Sequence, residues 1–493
     1  MFKMVNKHFP LLLAAALFSI SALAQPAPAQ GTDDMPTDYL PKEFHAGRRD
    51  ALRQVMPENS VAVVFAFPTR TFSNDVEYLY HQNPDMYYFS GYKEPHSMLL
   101  IFKEPQTDSL GNNYNEILFV QKRNAQAEQW TGRRLGIEGA KERLGFKTVY
   151  NGADFKNLNI DFSKFTRIIL DKFPADIANG SDVADLFDLI QQFKQKTRFP
   201  ELGPPQARFD TRLYQKLTAQ LREIKTPEEL DLLRKAVEIS CQGQNEVMKA
   251  VRPDMSELEI QGLHEYVHKK YGAEGVGYGS IIGAGENGCI LHYMENTKTK
   301  VGNSMLLMDV GAEYHGYTAD VTRTIPVDGK FSEEEKAIYQ IVYDAQEAAF
   351  KTLKNGSKWA DANKAALDVI AEGLQKLGII KNKSEVNKYY PHGLGHHIGL
   401  DVHDRGTYNE LKKDMVITIE PGIYIPEGSN CDKKYWSIAV RIEDDLLITE
   451  TGYELLSHFA PRKIADIEKM IQQKSAVDDF KLPPLESDKK KGF

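Results

Sequence analysis

Three shortages narrow what this 493-residue chain can be. Its three cysteines, Cys241, Cys289 and Cys431, are too few for a disulfide framework, so we assign them to packing and expect stability to come from buried cores. Beyond the first 24 residues no apolar run is long enough to span a bilayer. An excess of basic residues is also missing. The formal net charge is −8, which excludes a typical binder of nucleic-acid phosphates.

The N-terminus has the pattern of a secretory signal peptide. Two lysines among the first seven residues precede an apolar segment at 11–23, which ends in the small-residue pattern Ala22-Leu23-Ala24. This order predicts cleavage after residue 24 and export of the mature protein to the periplasm or the medium. An uncleaved membrane anchor is the alternative.

The remaining chain is long enough for two domains. Residues 25–41 are rich in Pro, Ala and Gln and are expected to form a flexible leader. Residues 42–210 alternate strand-like and helix-like segments, which indicates an α/β domain. The predicted strands there are 60–67, 97–102, 116–120 and 165–170, and the predicted helices are 43–56 and 183–194.

Residues 211–470 are predicted to form an α+β domain with antiparallel strands. Residues 471–493 are polar and Lys-rich, and we expect a disordered tail there. The predicted helices are 213–224, 228–250, 257–271, 332–354 and 358–377. The predicted strands are 280–283, 304–311, 317–327, 415–420 and 437–449.

Histidines are scarce overall but cluster in one place. The chain has 13, and four of them lie in the stretch 390–404 (YPHGLGHHIGLDVHD). Three glycines in the same stretch disfavour a helix, so we expect a loop or strand end that directs imidazoles to one point. Neutral imidazole is a common metal ligand and a common acid–base group. A His-rich loop without function is the alternative, and partner carboxylates elsewhere would decide between them.

Acidic residues at apolar strands supply those partners. Asp309 ends the strand-like run 305–308, and Asp320 follows eleven residues later, across two glycines that suit a hairpin. Glu420 closes the strand-like run 415–419, where Pro421 and Gly422 are expected to stop the strand. Glu443 shares a strand face with Arg441 by the alternation of side chains. Each acid alone could equally be a surface or salt-bridge residue.

Together, these acids predict a metal centre. Four buried carboxylates beside one imidazole would repel one another unless cations separated them. Carboxylate oxygens and one imidazole suit Mn²⁺, Fe²⁺, Co²⁺ or Zn²⁺. The set is too large for one catalytic ion and fits a pair about 4 Å apart, which could supply hydroxide near neutral pH. Free histidines nearby, including His292, could donate to a developing oxyanion.

At this point the sequence resembles a known family. Asp309, Asp320, His396, Glu420 and Glu443 stand in the order of the metal-dependent peptidases of the pita-bread fold, and within them the chain is most similar to the Xaa-Pro aminopeptidases (aminopeptidase P). The resemblance covers roughly residues 44–460. It is carried by the His motif at 392–404, the Glu motifs at 420–424 and 440–444, the loop at 291–296, and the N-terminal stretches 75–83 and 130–134.

The resemblance implies release of the N-terminal residue from peptides with proline second, by a pair of Mn²⁺ ions, with Co²⁺, Zn²⁺ or Fe²⁺ as alternatives. It implies that Asp320 and Glu443 bridge the ions, that Asp309 chelates one, and that His396 and Glu420 complete the other. By the same resemblance, Glu420 would accept the water's proton, His292 and His403 would contact the substrate and the tetrahedral intermediate, and His392 would line the proline pocket. Arg441 and Tyr424 would form a relay with Asp309. Asp75 and Trp130 would cap the site of a neighbouring subunit. A homo-oligomer, dimer or tetramer, is therefore expected.

Several alternatives stay open on the sequence. Prolidase shares the fold, the metals and the HGLGH form but is restricted to dipeptides. The loop at 291–296 and the N-terminal motifs favour the aminopeptidase. A non-catalytic peptide- or protein-binding homologue and metal-free creatinase-type chemistry are disfavoured by the presence of all five ligands. A methionine-removing aminopeptidase would not explain the large N-terminal domain or the export signal.

Overall fold

A computed structural model describes residues 36–108, 110–180, 184–200 and 206–479, with residues 482, 483 and 485. The predicted signal peptide at 1–24 and most of the leader at 25–41 lie outside these described residues. The described chain from Leu40 onward belongs to one compact unit, and the predicted domain boundaries stay predictions. None of the described helices is both long and apolar enough to cross a membrane.

The N-terminal half is an α/β arrangement around one mixed sheet, as predicted. Its helices are α1 (Lys42–Val55), α2 (Pro84–Ser90), α3 (Ala125–Thr131), α4 (Gly136–Leu144) and α5 (Leu186–Thr197). Its strands are β1 (Ser60–Phe65), β2 (Thr71–Ser73), β3 (Val76–Glu77), β4 (Met98–Thr107), β5 (Asn113–Val120), β6 (Val149–Asn151) and β7 (Arg167–Leu170). The sheet order is β6-β5-β4-β1-β7, while β2 and β3 form a separate exposed hairpin.

Alternation along β1 explains why that sheet is covered on both faces. Ala62 and Val64 belong to one hydrophobic core, whereas Val61, Val63 and Phe65 belong to another. Successive strand side chains point to opposite faces, so a continuous apolar run requires apolar partners on both sides. The two cores are therefore fixed by the same six-residue strand.

The C-terminal half contains the remaining elements. Its helices are α6 (Thr211–Arg222), α7 (Pro227–Ala250), α8 (Glu257–Lys270), α9 (Glu333–Phe350), α10 (Trp359–Lys376) and α11 (Ile464–Ile471). Its strands are β8 (Gly275–Val276), β9 (Ile281–Ala284), β10 (Met305–Val310), β11 (Ala312–Tyr314), β12 (Tyr317–Thr318), β13 (Val321–Pro326), β14 (Val416–Ile419), β15 (Gly422–Ile425), β16 (Ile438–Arg441), β17 (Asp444–Ile448) and β18 (Tyr453–Leu455). Short 3-10 turns lie in both halves, at Gly152–Asn157, Phe162–Lys164, Gly285–Cys289, Lys383–Lys388 and Lys433–Tyr435.

Local sequence signals mark the start of helices α7 and α8. The Thr226 side chain accepts from the Glu229 backbone N–H, and the Glu229 carboxylate accepts from the Thr226 backbone N–H, which forms a capping box with Pro227 at the first helical position. Ser256 likewise caps α8 by accepting from the Glu259 backbone. These start signals place the helices where the sequence predicted them.

Two strand predictions need correction. The predicted strand 317–327 is two strands, because the chain leaves β12 and enters β13 around Asp320. The predicted strand 437–449 is likewise divided between β16 and β17, with Glu443 in the break. The predicted strand 415–420 ends before Pro421 as expected, since β14 stops at Ile419, but a strand that was not predicted, β15, begins at Gly422 and pairs with β16. At each of the three breaks a metal-ligand candidate lies in the break or next to it.

The predicted hairpin between the first two acids is confirmed. Strands β10 and β13 are antiparallel, with Asp309 opposite Thr322, and the excursion β11–β12 between them turns at Gly316. Asp320 precedes β13 by one residue and shares the face of Thr322 by alternation. Strand β9 pairs with the other edge of β10, so this acid-bearing strand is central in its sheet.

The first residues of the expected tail are packed. The Ser475 hydroxyl is buried and donates to a Glu246 carboxylate oxygen on α7 at 2.9 Å, and the Ala476 backbone donates to the same atom at 2.8 Å. Helix α11, which the sequence reading did not propose, precedes this contact.

Candidate metal centre

All predicted site residues of the C-terminal half except Tyr424 line one cavity of about 350 Å³. The His-rich stretch lies along β14, where His397 bridges to Ile417 and the Thr418 backbone donates to the His396 carbonyl at 2.8 Å. The cavity wall combines carboxylates, imidazoles and apolar side chains. It is formed by Tyr278, Gly279, Ile281, Leu291, His292, Met294, Asp309, Asp320, His392, Gly393, His396, Val402, His403, Glu420, Arg441 and Glu443.

His396 stands among three carboxylates. Its Nε2 lies 3.5 Å from Asp320, 3.6 Å from Glu420 and 3.9 Å from Glu443. Ligand atoms of Asp320, His396 and Glu443 all lie within 4.8 Å of one another. The Nδ1 of His396 lies 3.0 Å from the His397 carbonyl, which assigns a proton to Nδ1 and leaves Nε2 as the ring atom that faces the acids.

Asp309 is held by two neighbours. Arg441 donates to its Oδ2 at 2.6 Å, and the Tyr278 hydroxyl lies 2.6 Å from its Oδ1 and 2.5 Å from Oδ1 of Asp320. Arg441 also donates to the Tyr424 hydroxyl at 2.8 Å, so the predicted group of Asp309, Arg441 and Tyr424 is contiguous. The contacts from the Tyr278 hydroxyl and the Arg441 guanidinium restrict the orientation of the Asp309 carboxylate.

Glu443 is fixed by Thr322. The Thr322 hydroxyl donates to Glu443 at 2.6 Å and lies 3.4 Å from Nε of Arg441, so both residues reach the same hydroxyl as their predicted shared face requires. The Asp320 backbone is held by a different carboxylate, because its N–H donates to Asp445 at 3.0 Å.

Burial and mutual repulsion raise the pKa values of three of the acids. Burial, and then the Asp309 charge, raises the pKa of Asp320, while burial followed by Asp320 and Glu420 raises the pKa of Glu443 well above its usual range. Burial raises the pKa of Glu420 to about 7 despite the opposing His396 charge. A bound cation relieves both causes, so these carboxylates suit metal ligation.

The pKa values of the two remaining ligand candidates are shifted so as to favour their charged forms. Burial acts to raise the pKa of Asp309, but Arg441 and Tyr278 outweigh it and hold that pKa below the ordinary value. Burial acts to lower the pKa of His396, but Asp320 and Glu420 raise it to about 9. A metal ion binding at Nε2 of His396 must therefore displace a proton.

The other histidines border the same cavity. His392 Nε2 lies 2.8 Å from the Tyr424 hydroxyl, and burial with the nearby Arg441 charge lowers the pKa of His392 to about 4. The His403 ring packs edge-on against the His396 ring at 4.3 Å between centroids. His292 and Leu291 also line this cavity. Their predicted roles toward substrate stay predictions.

Asp75 and Trp130 lie outside this cavity. Asp75 is exposed in the turn between β2 and β3, and Trp130 on α3 is 86% exposed. The predicted contact of these residues with a neighbouring subunit's site stays a prediction.

Sequence reasoning missed Tyr278, Thr322 and Asp445. Tyr278 stands in a Gly-Tyr-Gly segment that follows the two-residue strand β8, and no periodic pattern marks it. Thr322 carried a usable signal, because it lies two residues after Asp320 and therefore on the same strand face. Asp445 adjoins Glu443 and Asp444 in a run of three acids, which does not tell which member turns inward.

Comparison with known proteins agrees with this geometry. Residues 231–450 match the model of metallopeptidase family M24, and residues 45–164 match the N-terminal domain of aminopeptidase P. The chain is 35% identical to the Xaa-Pro aminopeptidase of Escherichia coli, with 86% of this chain and 96% of that protein covered. The Haemophilus influenzae Xaa-Pro aminopeptidase is 34% identical, with 88% and 98% covered.

Solved structures give the same grouping. Aminopeptidase PepP of Pseudomonas aeruginosa superposes with a TM-score of 0.77 at 33% identity, covering 88% of this chain and 98% of that one. Aminopeptidase P of E. coli, solved with the inhibitor Pro-Leu, superposes with a TM-score of 0.76 at the same identity and coverage.

Proposed function

Because the chain belongs to the M24 metallopeptidases, among the Xaa-Pro aminopeptidases, we propose that it uses two divalent ions to release the N-terminal residue from peptides with proline second. The observation that carries the proposal is the convergence of Asp320, His396, Glu420 and Glu443, with Asp309 beside them, on one cavity. The N-terminal match to aminopeptidase P and the Xaa-Pro aminopeptidase relatives do not favour the alternative prolidase.

The donor set fits the ions. Four carboxylates and one imidazole, whose Nε2 becomes a ligand once it loses its proton, suit Mn²⁺, and equally Co²⁺, Zn²⁺ or Fe²⁺. We propose that Asp309, Asp320, His396, Glu420 and Glu443 would hold these ions. When bound, such ions supply hydroxide near neutral pH and polarise the scissile carbonyl. A matched E. coli structure is of a zinc-substituted enzyme in complex with product.

The protein groups around the ions then have separate tasks. Glu420, whose pKa burial raises to about 7, accepts the proton of the attacking water. His292 and His403 border the cavity where the carbonyl oxygen becomes negative, and an imidazole N–H there stabilises it. Arg441 keeps Asp309 charged and oriented through their 2.6 Å contact.

Substrate selection follows from charge and shape. The acid-rich centre attracts a free α-ammonium group, which favours the N-terminal residue over internal bonds. Apolar side chains such as Leu291, Met294 and Val402 line the same cavity and suit uncharged peptide side chains. His392, held against Tyr424, borders the space we assign to the proline ring.

Export and assembly are part of the proposal. The signal-peptide pattern at 1–24 supports a periplasmic or secreted enzyme. The exposed Trp130 and the exposed hairpin carrying Asp75 support a dimer or tetramer in which these residues approach a neighbour's site.

A peptide comparison tests the activity. Chelator-treated protein supplied with Mn²⁺ should hydrolyse Ala-Pro-Phe, releasing alanine, and should leave Ala-Ala-Phe nearly intact. Turnover of the dipeptide Ala-Pro with Ala-Pro-Phe untouched would assign prolidase activity instead.

A further inference from the structure

A buried cluster of four charged side chains holds one end of the His-rich stretch 390–404. Arg222, the last residue of α6, donates to Asp85 on α2 at 2.8 Å and also donates to Asp404. Lys225 donates to the second carboxylate oxygen of Asp404 at 3.1 Å. We call these four residues the Arg222 cluster. It joins the N-terminal half and the segment after α6 to the stretch that carries the clustered histidines, and none of its members lines the acid-rich cavity.

Stability alone does not explain the Arg222 cluster. All four side chains are buried, two positive and two negative. Removing charges from water is costly, and replacing a buried ion pair by apolar side chains is often neutral or even stabilising. The Nε of Arg222 adds to this cost, because it is buried and has no hydrogen-bond partner among the described residues. What the cluster does provide is a fixed position for the Asp404 carboxylate.

The charge of Asp404 is maintained by the same contacts. Burial acts to raise the pKa of Asp404, but Arg222 and Lys225 outweigh it and hold that pKa below its ordinary value. The carboxylate therefore stays ionised near pH 7 and keeps both cationic partners.

Asp404 is connected to the metal-ligand candidate His396 through one carbonyl. The Asp404 backbone N–H donates to the His397 carbonyl at 2.9 Å, and Nδ1 of His396 lies 3.0 Å from the same oxygen. This contact turns Nε2 of His396 toward the acids. Asp404 also follows His403 directly, and the His403 ring packs edge-on against the His396 ring. The position of Asp404 therefore affects the orientation of both imidazoles.

The stretch leaves Asp404 little room to move. A methyl group at Gly399 would lie 2.2 Å from Oδ2 of Asp404 and 3.1 Å from Cε of Lys225. The Asp404 carboxylate and the Lys225 side chain are thus packed against the backbone of the stretch itself. The Gly399 carbonyl in turn accepts from the Thr318 backbone at 2.9 Å, two residues before Asp320. A shift of Asp404 would therefore disturb the metal centre on the Asp320 side as well.

The residue after Arg222 holds the chain beyond this stretch. The buried Glu223 carboxylate accepts from the Thr407 backbone at 2.9 Å, from the Thr407 hydroxyl at 2.6 Å and from Lys412 at 2.6 Å. The His397 ring contacts the same segment, since its Nε2 lies 2.9 Å from the Thr407 carbonyl. Two consecutive residues at the end of α6 therefore fix the loop after His403 at two points.

We propose that Arg222 is a positioning residue, which acts through Asp404 to set the orientation of the His396 and His403 imidazoles. The inference rests on the proposed function, in which His396 binds a metal ion and His403 contacts substrate. Groups that hold the ligating side chains of a metal site in place commonly change metal affinity or activity when they are removed. Through Asp85, the N-terminal half would then contribute to the geometry of a centre that it does not line.

Two arginine variants of the full-length protein test the proposal. Arg222→Met keeps an apolar stem but removes the donors to Asp85 and Asp404. The matched control is Arg49→Met, which removes a buried arginine that pairs with Glu116 at 2.8 Å in the N-terminal half. In metal-free protein with ¹⁵N-labelled histidine, the ring signals of His396 and His403 are assigned with an alanine variant of each. Both signals should shift in Arg222→Met and stay in place in Arg49→Met.

Metal binding and turnover give independent readouts. In equilibrium dialysis, Arg222→Met should bind Mn²⁺ about tenfold more weakly than the wild type, and its kcat for Ala-Pro-Phe at saturating Mn²⁺ should fall by about the same factor. Arg49→Met should keep the wild-type values of both, although it too loses a buried ion pair. Asp404→Asn keeps the shape of the side chain and should change the signals and the Mn²⁺ affinity in the same direction as Arg222→Met.

Unchanged His396 and His403 signals in Arg222→Met, or equal changes in both arginine variants, would overturn the proposal. If Arg222→Met does not fold, Asp404→Asn decides by the same signals, and wild-type signals there would overturn it too. A wild type that binds Mn²⁺ but does not hydrolyse Ala-Pro-Phe would contradict the proposed function instead, and the ring signals with the Mn²⁺ affinity would still decide the role of Arg222.

Discussion

Gly311 separates the two chain segments that carry Asp309 and Asp320, and its replacement gives the sharpest structural prediction. A methyl group at Gly311 would lie 1.8 Å from the Ala319 carbonyl oxygen and 2.8 Å from the Tyr278 ring. Real contacts of this kind stay above 3.0 Å, so the Ala319 segment must retreat by about 1.2 Å. Asp320 follows Ala319 directly, and Tyr278 bridges Asp309 and Asp320, so both carboxylates move.

This displacement sets the expected size of the effect. A misplacement of about 1 Å in a catalytic constellation can cost on the order of 100-fold in rate, so Gly311→Ala should lower kcat/KM for Ala-Pro-Phe by about that factor. Overpacking of a buried site costs about 1–3 kcal/mol, which should appear in urea unfolding of the metal-free protein.

The matched control is Gly47→Ala on α1. No atom lies within 4 Å of a methyl group there, so this variant should keep full activity and gain about 0.5–1 kcal/mol of stability from reduced backbone entropy of the unfolded chain. Activity of Gly311→Ala within threefold of the wild type, with normal metal content, would refute the claim that close approach of these two segments positions the acids.

Three further variants probe other parts of the structure. Tyr424→Phe removes a hydroxyl that contacts Arg441 and His392 at 2.8 Å each, and it should lower kcat/KM by roughly 5–30-fold (~1–2 kcal/mol). Metal content should not change, and an unchanged kcat/KM would contradict the predicted relay. Arg323→Met should lower the free energy of unfolding in urea by about 3–5 kcal/mol, because it leaves the buried Asp444 carboxylate without its 2.7 Å partner. A decrease of less than about 1 kcal/mol would show that this ion pair is not needed for stability. Burial lowers the pKa of His45 from 6.5 to about 4, so the unfolded chain binds the proton more tightly, and the free energy of unfolding should fall by up to about 3 kcal/mol as pH drops from 6.5 toward 4. His45→Gln should flatten that part of the stability–pH profile, and an unaltered profile would argue against a neutral buried ring.

The metal-ligand candidates were predictable because each is a local anomaly. A carboxylate directly after an apolar run of residues, such as Asp309 or Glu420, is costly unless a partner exists, and the partner could be inferred without knowing the fold. The clustering of histidines around His396 supplied the same kind of signal. These residues meet in one cavity because their strands pair in the predicted antiparallel sense.

What the sequence did not reveal depends on tertiary contact. Strand β14 stops before Pro421 as local preference predicts, but β15 begins at Gly422 without a sequence signal, because its pairing with β16 stabilises it. Helices α2, α3 and α4 are too short for a helical period to stand out. Tyr278 joins the site only because the segment after β8 passes beside Asp309 and Asp320, a proximity that no sequence pattern records.

The central claim is that Asp309, Asp320, His396, Glu420 and Glu443 together hold two divalent ions. The most direct test is the number of Mn²⁺ ions bound per chain after chelation and reconstitution, measured for the wild type, His396→Ala and Glu443→Ala. We predict two for the wild type, fewer than two for both variants, and no peptide turnover in either, with thermal unfolding of the metal-free proteins broadly unchanged. Two bound ions and retained turnover in Glu443→Ala would contradict the account.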